Sequence, residues 1–307
     1  MAQKLLVIVG PTSSGKSALA VELARKFSGE VISADSRQVY RGLNIGTGKI
    51  TAREMRGVRH HLLDVASPKQ VFTAHDFMMK ARGAISSISR RDRFPIVAGG
   101  TGFYIDALLD RVILPDVPAD PAFRRLHEDA SAAELFRILR KIDHDRAGTI
   151  DPHNKPRLIR ALEIARALGK APRTPEDGPL YEALWIGLDL PKEELDKKID
   201  ARLKTRMKQG MLAEARRLHA GGLSYARMEA LGLEYRSMAR LLQKKVTREQ
   251  MTDELSRAIK QYAKRQRTYW QRNKEIRWFS PNDAAAVEEV VRAWATNSPD
   301  ILGARTL

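Results

Sequence analysis

The chain has 307 residues, no cysteine and a formal net charge of +17, from 54 Lys and Arg against 37 Asp and Glu. The missing cysteine excludes disulfides, thiolate metal sites and thiol nucleophiles, and no apolar run approaches the ~20 residues of a membrane span. The N-terminus leads directly into a strand pattern with no room for a signal peptide, so we expect a cytoplasmic protein without a membrane partner.

The positive charge favours a large polyanionic partner, and nucleic acid is the first candidate. An enzyme that handles a small anion needs no such excess, although a basic surface can also serve solubility alone. The length and a hydrophobic content of 43% are sufficient for a large α/β domain with an appendage.

The first motif lies in "LLVIVGPTSSGKSALAVEL", residues 5–23. An apolar run predicts a buried parallel strand, the spacing Gly-x4-Gly-Lys-Ser is that of a phosphate-binding loop, and a helical pattern follows. We expect Lys16 to pair with phosphate oxygens and the Ser17 hydroxyl to ligate Mg²⁺. The motif predicts a di- or triphosphate ligand without naming it. The loop comprises Gly10, Pro11, Thr12, Ser13, Ser14, Gly15, Lys16 and Ser17.

Two further strands end in polar or glycine-rich turns. "EVISADSRQVY" predicts a strand over 30–34 with Asp35 at its end, and "FPIVAGGTGFYIDALL" predicts a strand through Ala98, a turn that contains Thr101, and a helix from Phe103. Alternating strands and helices predict an α/β fold, a P-loop NTPase-like parallel sheet flanked by helices. The carboxyl ends of its strands would bring the phosphate loop, Asp35 and Thr101 to one edge.

The sequence pattern changes between two Pro-rich connections, "LPDVPADP" (114–121) and "GKAPRTPEDGP" (169–179). The helical, basic segment between them predicts an inserted all-helical lobe over 116–179, within a catalytic core formed by 1–115 and 180–307. "YEALWIGLDL" (181–190) predicts a strand that returns to the sheet. Thr247 and Gln250 predict a capping box that opens a long helix.

Asp35 is the one well-placed acid at a strand end. P-loop enzymes of phosphoryl transfer usually carry an acid after an apolar strand to help hold Mg²⁺, but the strand at 96–98 ends in glycines. Asp35 could serve Mg²⁺, or it could act as a base on an incoming nucleophile.

The motifs "GPTSSGKS", "ISADSRQVYRGLNIGTGK", "HHLLDV", "VAGGTGFY", "RLIRALEI" and "YAKRQRTYW" occur in that order. Together they resemble the tRNA dimethylallyltransferases, or tRNA isopentenyltransferases, of the bacterial type without a zinc finger. The resemblance implies transfer of a dimethylallyl group from dimethylallyl diphosphate to N6 of the adenosine 3′-adjacent to the anticodon, position 37. It also implies that the loop holds the donor diphosphate with Mg²⁺ rather than ATP.

The resemblance implies three catalytic residues. Asp35 would accept a proton from the adenine amine, and Thr101 would bond either the Asp35 carboxylate or the bridging oxygen of the diphosphate. Arg202 would bind the diphosphate, with Arg206 as a rival in register. The family's preceding arginine falls on Lys198, a departure from the pattern.

The implied partner is the anticodon stem-loop of tRNA, bound by a monomer. We expect the basic residues to contact RNA, Tyr262 and Trp270 to belong to the core, and the lobe to move relative to the sheet when tRNA binds. The implied tRNA-binding residues are Asp35, Ser36, Arg37, Gln38, Thr101, Phe123, Arg157, Ile159, Arg160, Ala161, Leu162, Glu163, Lys264 and Arg267.

Two other functions stay open. An adenylate isopentenyltransferase would act on free nucleotide, but the charge of +17 and the predicted lobe argue against it. A P-loop kinase or ATPase acting on RNA would use the same loop for ATP. A non-catalytic RNA-binding module has no need for the loop.

Overall fold

The computed structural model describes residues 2–169 and 180–296. Two compact units divide the chain, Met1–Leu109 together with Pro179–Leu307, and Asp110–Gly178. The sequence places the start of the lobe at residue 116, whereas the second unit begins at Asp110. The predicted end of the lobe at 179 lies outside the described residues.

A parallel six-stranded sheet forms the centre of the first unit, in the order β3-β2-β4-β1-β5-β6. This confirms the predicted α/β fold with a parallel sheet. β5 returns beside β1, as the sequence predicts, and pairs with it from Gln3 opposite Tyr181 to Val9 opposite Gly187. The strands are β1 (Gln3–Val9), β2 (Gly29–Ser33), β3 (His60–His61), β4 (Phe94–Ala98), β5 (Tyr181–Leu188) and β6 (Arg277–Phe279).

Strand β1 is apolar because it is buried on both faces. Leu5 and Val7 pack on one face of the sheet in a cluster that includes Phe77 and Trp185. Leu6 and Ile8 pack on the other face with Leu19 and Leu23 of the first helix, among others. The sheet therefore holds the ends of β1, β2 and β4 in adjacent places.

Helices α1–α4 and α9–α14 belong to the first unit. A third core cluster joins α9 to α13 through residues such as Ile199, Leu203 and Leu255. The capping box that opens α13 is confirmed, because Thr247 and Gln250 exchange hydrogen bonds. These helices are α1 (Lys16–Lys26), α2 (Ala52–Met55), α3 (Ala74–Ser89), α4 (Gly102–Leu108), α9 (Lys192–Lys208), α10 (Met211–Ala220), α11 (Tyr225–Ala230), α12 (Leu233–Leu242), α13 (Arg248–Trp270) and α14 (Ala284–Thr296).

The second unit has its own small core, built around Leu135, Leu139, Leu158 and Leu162. Its described residues form α5 (Pro121–Leu126), α6 (Ala132–Ile142), α7 (His144–Ala147) and α8 (Lys155–Leu168). Across both units, the described helices include none that is long and apolar enough to cross a membrane.

Candidate active site

The phosphate loop leaves the sheet at the end of β1 and runs into α1. Gly10 and Gly15 have φ angles of 141° and 95°, a region that favours glycine, and a Cβ at Gly10 would overlap the Leu188 carbonyl oxygen. Helix α1 then begins at Lys16. The loop thus leads to a helix N-terminus, where free amides and the helix dipole favour an anion.

A cavity of ≈ 340 Å³ opens beside this loop, and we name it the phosphate cavity. Three residues of the predicted loop are buried and do not line the cavity: Gly10, Pro11 and Ser14. Its lining residues are Thr12, Ser13, Gly15, Lys16, Ser17, Ala18, Ser33, Asp35, Gln38, Thr47, Glu54, Ala98, Gly99, Gly100, Lys198, Arg202, Tyr262 and Gln266.

Lys16 carries a strongly perturbed ammonium group. It donates a hydrogen bond to the Pro11 carbonyl at 2.5 Å. Burial and the neighbouring Arg202 lower the pKa of Lys16 to about 7, and Asp35 acts in the opposite direction. Both causes disfavour the charged form of an ammonium, whereas an anion in the cavity would favour it.

The two candidate arginines of α9 have different surroundings. Arg202 lines the phosphate cavity and donates from Nη2 to the Gly48 carbonyl at 2.9 Å. Arg206 is buried, and its Nη1 donates to the Gly46 carbonyl at 2.7 Å and lies 3.4 Å from a Glu234 carboxylate oxygen. Both arginines therefore bond to the 44–48 loop, but Arg202 lines the phosphate cavity whereas Arg206 is buried outside its lining.

Lys198, one turn before Arg202, also lines the phosphate cavity. Its ammonium lies 3.0 Å from the Glu194 carboxylate on the same helix. The departure from the family's arginine thus leaves a cation at the cavity wall.

Asp35 lies where the phosphate cavity adjoins a second cavity. Its Oδ1 accepts hydrogen bonds from the amides of Arg37 and Gln38 at 2.8 and 3.2 Å, while the described residues supply no hydrogen-bond donor to Oδ2. The second cavity measures ≈ 330 Å³, and we name it the acceptor-side cavity. Its lining residues are Thr12, Asp35, Ser36, Arg37, Thr47, Gly232, Leu233, Glu234, Arg236, Ile259, Tyr262 and Arg265.

The hydrogen bond that the structure shows for the Thr101 side chain involves the Ser36 backbone. Thr101 Oγ1 accepts from the Ser36 amide at 3.0 Å, which joins the turn after β4 to the turn after β2. Gln38 lines the phosphate cavity, and its Oε1 lies 3.4 Å from the Ser33 hydroxyl. The three residues predicted from separate motifs, Asp35, Thr101 and Lys16, therefore meet at one edge of the sheet.

Two residues of α13 were missed as site residues by the sequence reasoning. Tyr262 was predicted to lie in the core, but it lines both cavities, where burial and the Asp35 charge raise its pKa to about 12. Gln266 is 6% exposed, accepts from the Thr12 amide at 2.8 Å and donates to the Gly100 carbonyl at 2.9 Å. A polar residue on the buried stripe of α13 was the available signal for Gln266. Trp270 does lie in the core, 1% exposed.

The predicted RNA-contacting residues of α13 also differ from each other. Lys264 is exposed. Arg267 donates from Nε and Nη2 to Asp189 Oδ1 at 3.0 and 2.6 Å, and from Nη2 to the Leu190 carbonyl. Arg267 therefore already has a charge partner within the chain, and Lys264 is the better placed of the two for a phosphate contact.

In the second unit, the side chain of Glu163 is a buried anchor. Its carboxylate accepts from the Asp120 amide at 3.0 Å, from Arg124 at 2.7 and 3.0 Å and from Arg160 at 3.1 Å. Burial raises the pKa of Glu163, but the hydrogen bonds from Arg124, the Asp120 amide and Arg160 together lower it below its usual value. Among the other predicted residues, Ala161 and Leu162 are buried, Phe123, Ile159 and Arg160 are partly exposed, and Arg157 is exposed.

The residues at the phosphate cavity fit Mg²⁺ bound together with a diphosphate. Ser17 is exposed at the first turn of α1, and the carboxyl-bearing Asp35 and Glu54 line the same cavity. No group of three or more His, Cys, Asp or Glu able to hold a metal was found in residues 2–169 and 180–296. A weak protein ligand set suits Mg²⁺, which keeps several waters and binds through substrate phosphates.

A comparison with known families and proteins identifies the chain. A family model described as "IPP transferase" matches residues 38–274. The tRNA dimethylallyltransferase of Geobacillus kaustophilus is 39% identical over 305 residues, which cover 95% of this chain and 96% of the relative. The chain belongs to the IPP transferase family. This confirms the resemblance drawn from the motifs.

Solved structures extend the comparison to the fold of this IPP transferase. The full-length tRNA isopentenylpyrophosphate transferase from Bacillus halodurans superimposes with a TM-score of 0.73 at 35% identity, covering 95% of this chain and 96% of that chain. A eukaryotic dimethylallyltransferase described as acting on tRNA gives a TM-score of 0.81 at 26% identity, covering 96% of this chain and 79% of that chain. The predicted P-loop-type fold is thus confirmed.

Proposed function

We propose that this IPP transferase family member is a tRNA dimethylallyltransferase. It transfers the dimethylallyl group from dimethylallyl diphosphate to N6 of the adenosine at position 37, giving N6-(dimethylallyl)adenosine. The observation that carries the proposal is the position of Asp35, which lines both the phosphate cavity and the acceptor-side cavity. A donor diphosphate in the first and a flipped base in the second would meet beside its carboxylate.

The donor's leaving group sets the first chemical requirement. When the C1–O bond breaks, negative charge develops on the diphosphate, and preorganised donors lower the barrier by stabilising it. The loop amides, Lys16 and Arg202 would supply that stabilisation. Ser17 would hold Mg²⁺, which supplies further charge neutralisation when bound.

The acceptor's amine sets the second requirement. The lone pair of the exocyclic nitrogen is delocalised into the adenine ring, so the amine is a poor nucleophile until a proton leaves it. Asp35 Oδ1 already accepts two backbone amides, which leaves Oδ2 to accept the proton. The N6–C1 bond forms, the proton passes to Asp35, and diphosphate leaves.

The acceptor is proposed to be tRNA rather than free nucleotide or ATP. A base in an anticodon loop must be flipped out before N6 can reach C1, and the acceptor-side cavity is lined in part by the basic residues Arg37, Arg236 and Arg265. The net charge of +17 suits an RNA partner. We further propose that Lys264 and Arg157 contact phosphates and that the enzyme acts as a cytoplasmic monomer.

Separate incubations with three candidate acceptors test this function. The protein is incubated with Mg²⁺, labelled dimethylallyl diphosphate and either unmodified tRNA, AMP or ATP. We expect label in tRNA alone. Label in AMP but not in tRNA would make the protein an adenylate isopentenyltransferase, and release of phosphate from ATP without prenylation would make it a kinase or ATPase.

A further inference from the structure

Gln266 links the turns that follow two neighbouring strands of the sheet, β1 and β4. The phosphate loop follows β1, and the Gly99–Gly102 turn follows β4. The Gln266 Oε1 accepts from the Thr12 amide at 2.8 Å, and its Nε2 donates to the Gly100 carbonyl at 2.9 Å. One amide side chain thus uses both ends to hold the two turns.

The fit around Gln266 leaves it little freedom. The residue is 6% exposed, and a Cβ on Gly100 would overlap its Nε2. The next nearest atom to that Cβ outside Gln266 is the Gly10 carbonyl oxygen, at 3.8 Å, and Gly100 is not among the residues of positive φ. A Cβ at position 100 would therefore act chiefly by displacing the Gln266 amide.

A second side chain continues the connection across the sheet. Thr101 Oγ1 accepts from the Ser36 amide at 3.0 Å, so it joins the turn after β4 to the turn that carries Asp35. The strand order places β4 between β2 and β1. Gln266 and Thr101 together connect the phosphate loop to the Asp35 turn through side-chain hydrogen bonds. These bonds add to the backbone bonds that Thr101 donates to Ala34 and Gly99 donates to Ile8.

We propose that Gln266 is a positioning residue that sets the place of the donor diphosphate relative to Asp35. The inference rests on the proposed prenyl transfer, in which diphosphate lies on the phosphate loop and the proton acceptor on the Asp35 turn. Gln266 uses both ends of its amide within the chain, and so it acts through Thr12 and Gly100. A misplacement of about 1 Å between reacting groups costs on the order of 10²-fold in rate.

The first test separates positioning from binding. Gln266→Met keeps the length of the side chain but removes its donor and acceptor. We expect kcat for tRNA prenylation to fall on the order of 10²-fold. Affinity for inorganic pyrophosphate should fall by less than about tenfold, which is the most that the loss of one neutral hydrogen bond costs. Gln271→Met, at the exposed C-cap of the same helix, is the matched control and should change neither value.

The second test uses the contact with Gly100. Gly100→Ala alone should lower kcat because the new Cβ displaces the Gln266 amide, whereas Gly83→Ala, where a Cβ meets nothing within 4 Å, should not. In a Gln266→Ala background the Gly100→Ala penalty should disappear, since the overlapping atom is gone. Circular dichroism establishes that each variant is folded, and Gln266→Asn, too short to span both turns, replaces Gln266→Met if that variant does not fold.

Three results would overturn the proposal. They are a kcat for Gln266→Met within twofold of wild type, a loss of pyrophosphate affinity as large as the loss of kcat, or additive penalties in the double variant. An absence of prenyl transfer to tRNA by the wild-type protein would instead refute the proposed function. Because pyrophosphate binding needs no acceptor, the two failures are distinguishable.

Discussion

Asp35 and Lys16 face the same cavity from the ends of β2 and β1, and the carboxylate opposes the fall in the pKa of the ammonium. Burial and Arg202 nevertheless lower that pKa to about 7. Since a bound diphosphate favours the ammonium form, the ligand and a proton should bind together when the pH lies above the pKa of the empty site.

Binding of dimethylallyl diphosphate should take up nearly one proton at pH 8, because Lys16, with a pKa of about 7, is mostly neutral at that pH. Calorimetric titrations in buffers of different ionisation enthalpy measure this uptake. In Lys16→Met the uptake should vanish. A titration without proton uptake at pH 8 would mean that Lys16 is already charged in the empty site.

Replacement of Asp35 by Asn should remove the proton acceptor while keeping an oxygen for the Arg37 and Gln38 amides. We expect a loss of ~10²–10⁴-fold in kcat, as for other general bases, with unchanged affinity for tRNA. Single-turnover rates and a binding isotherm measure the two quantities, and Asp92→Asn, at an exposed position, is the control. A parallel loss of tRNA affinity would assign Asp35 to recognition instead.

Arg202 and Arg206 should respond differently to the same substitution. Arg202→Gln should weaken pyrophosphate binding with little change in stability, because its guanidinium lines the phosphate cavity. Arg206→Gln should lower the free energy of unfolding by about 1–3 kcal/mol, because the Gly46 carbonyl and the Glu234 carboxylate lose their donor. Denaturant unfolding and pyrophosphate titration on both variants check this, and the reverse pattern would exchange the two roles.

The phosphate loop and the strands were predictable because apolar runs and glycine spacing are patterns of neighbouring residues in the sequence. The choice between Arg202 and Arg206 was not, since they lie one turn apart on α9 and their surroundings depend on the 44–48 loop. Gln266 lies on the buried stripe of α13 and Tyr262 lies beside it, partly exposed, and sequence alone cannot distinguish a core from a cavity wall. The partner of Arg267, Asp189, lies 78 residues away in the chain.

Truncation of exposed basic residues should change the salt dependence of tRNA binding. Lys264→Gln or Arg157→Gln should each reduce the slope of log K against log salt by about one unit or somewhat less. Arg267→Gln should leave that slope nearly unchanged and lower stability, because it breaks the pair with Asp189. Binding isotherms over a range of salt concentrations check this. A slope unaltered by Lys264→Gln and by Arg157→Gln would show that neither contacts phosphate.

Binding of tRNA should also protect the second unit from amide hydrogen exchange. We expect amide hydrogen exchange to slow in residues 116–169 when tRNA is added, because contact with RNA would suppress local opening of these helices. The prediction on 170–179 concerns residues outside those described. Unchanged exchange throughout the described part of the second unit on saturation with tRNA would contradict this prediction.

The most direct measurement of the central claim locates the transferred group. Unmodified tRNA is incubated with dimethylallyl diphosphate, Mg²⁺ and the protein, and the digested RNA is sequenced by mass spectrometry. The account predicts one dimethylallyl group on N6 of adenosine 37, formed by wild type and strongly reduced by Asp35→Asn. A group attached at another position, or formed equally well by Asp35→Asn, would contradict it.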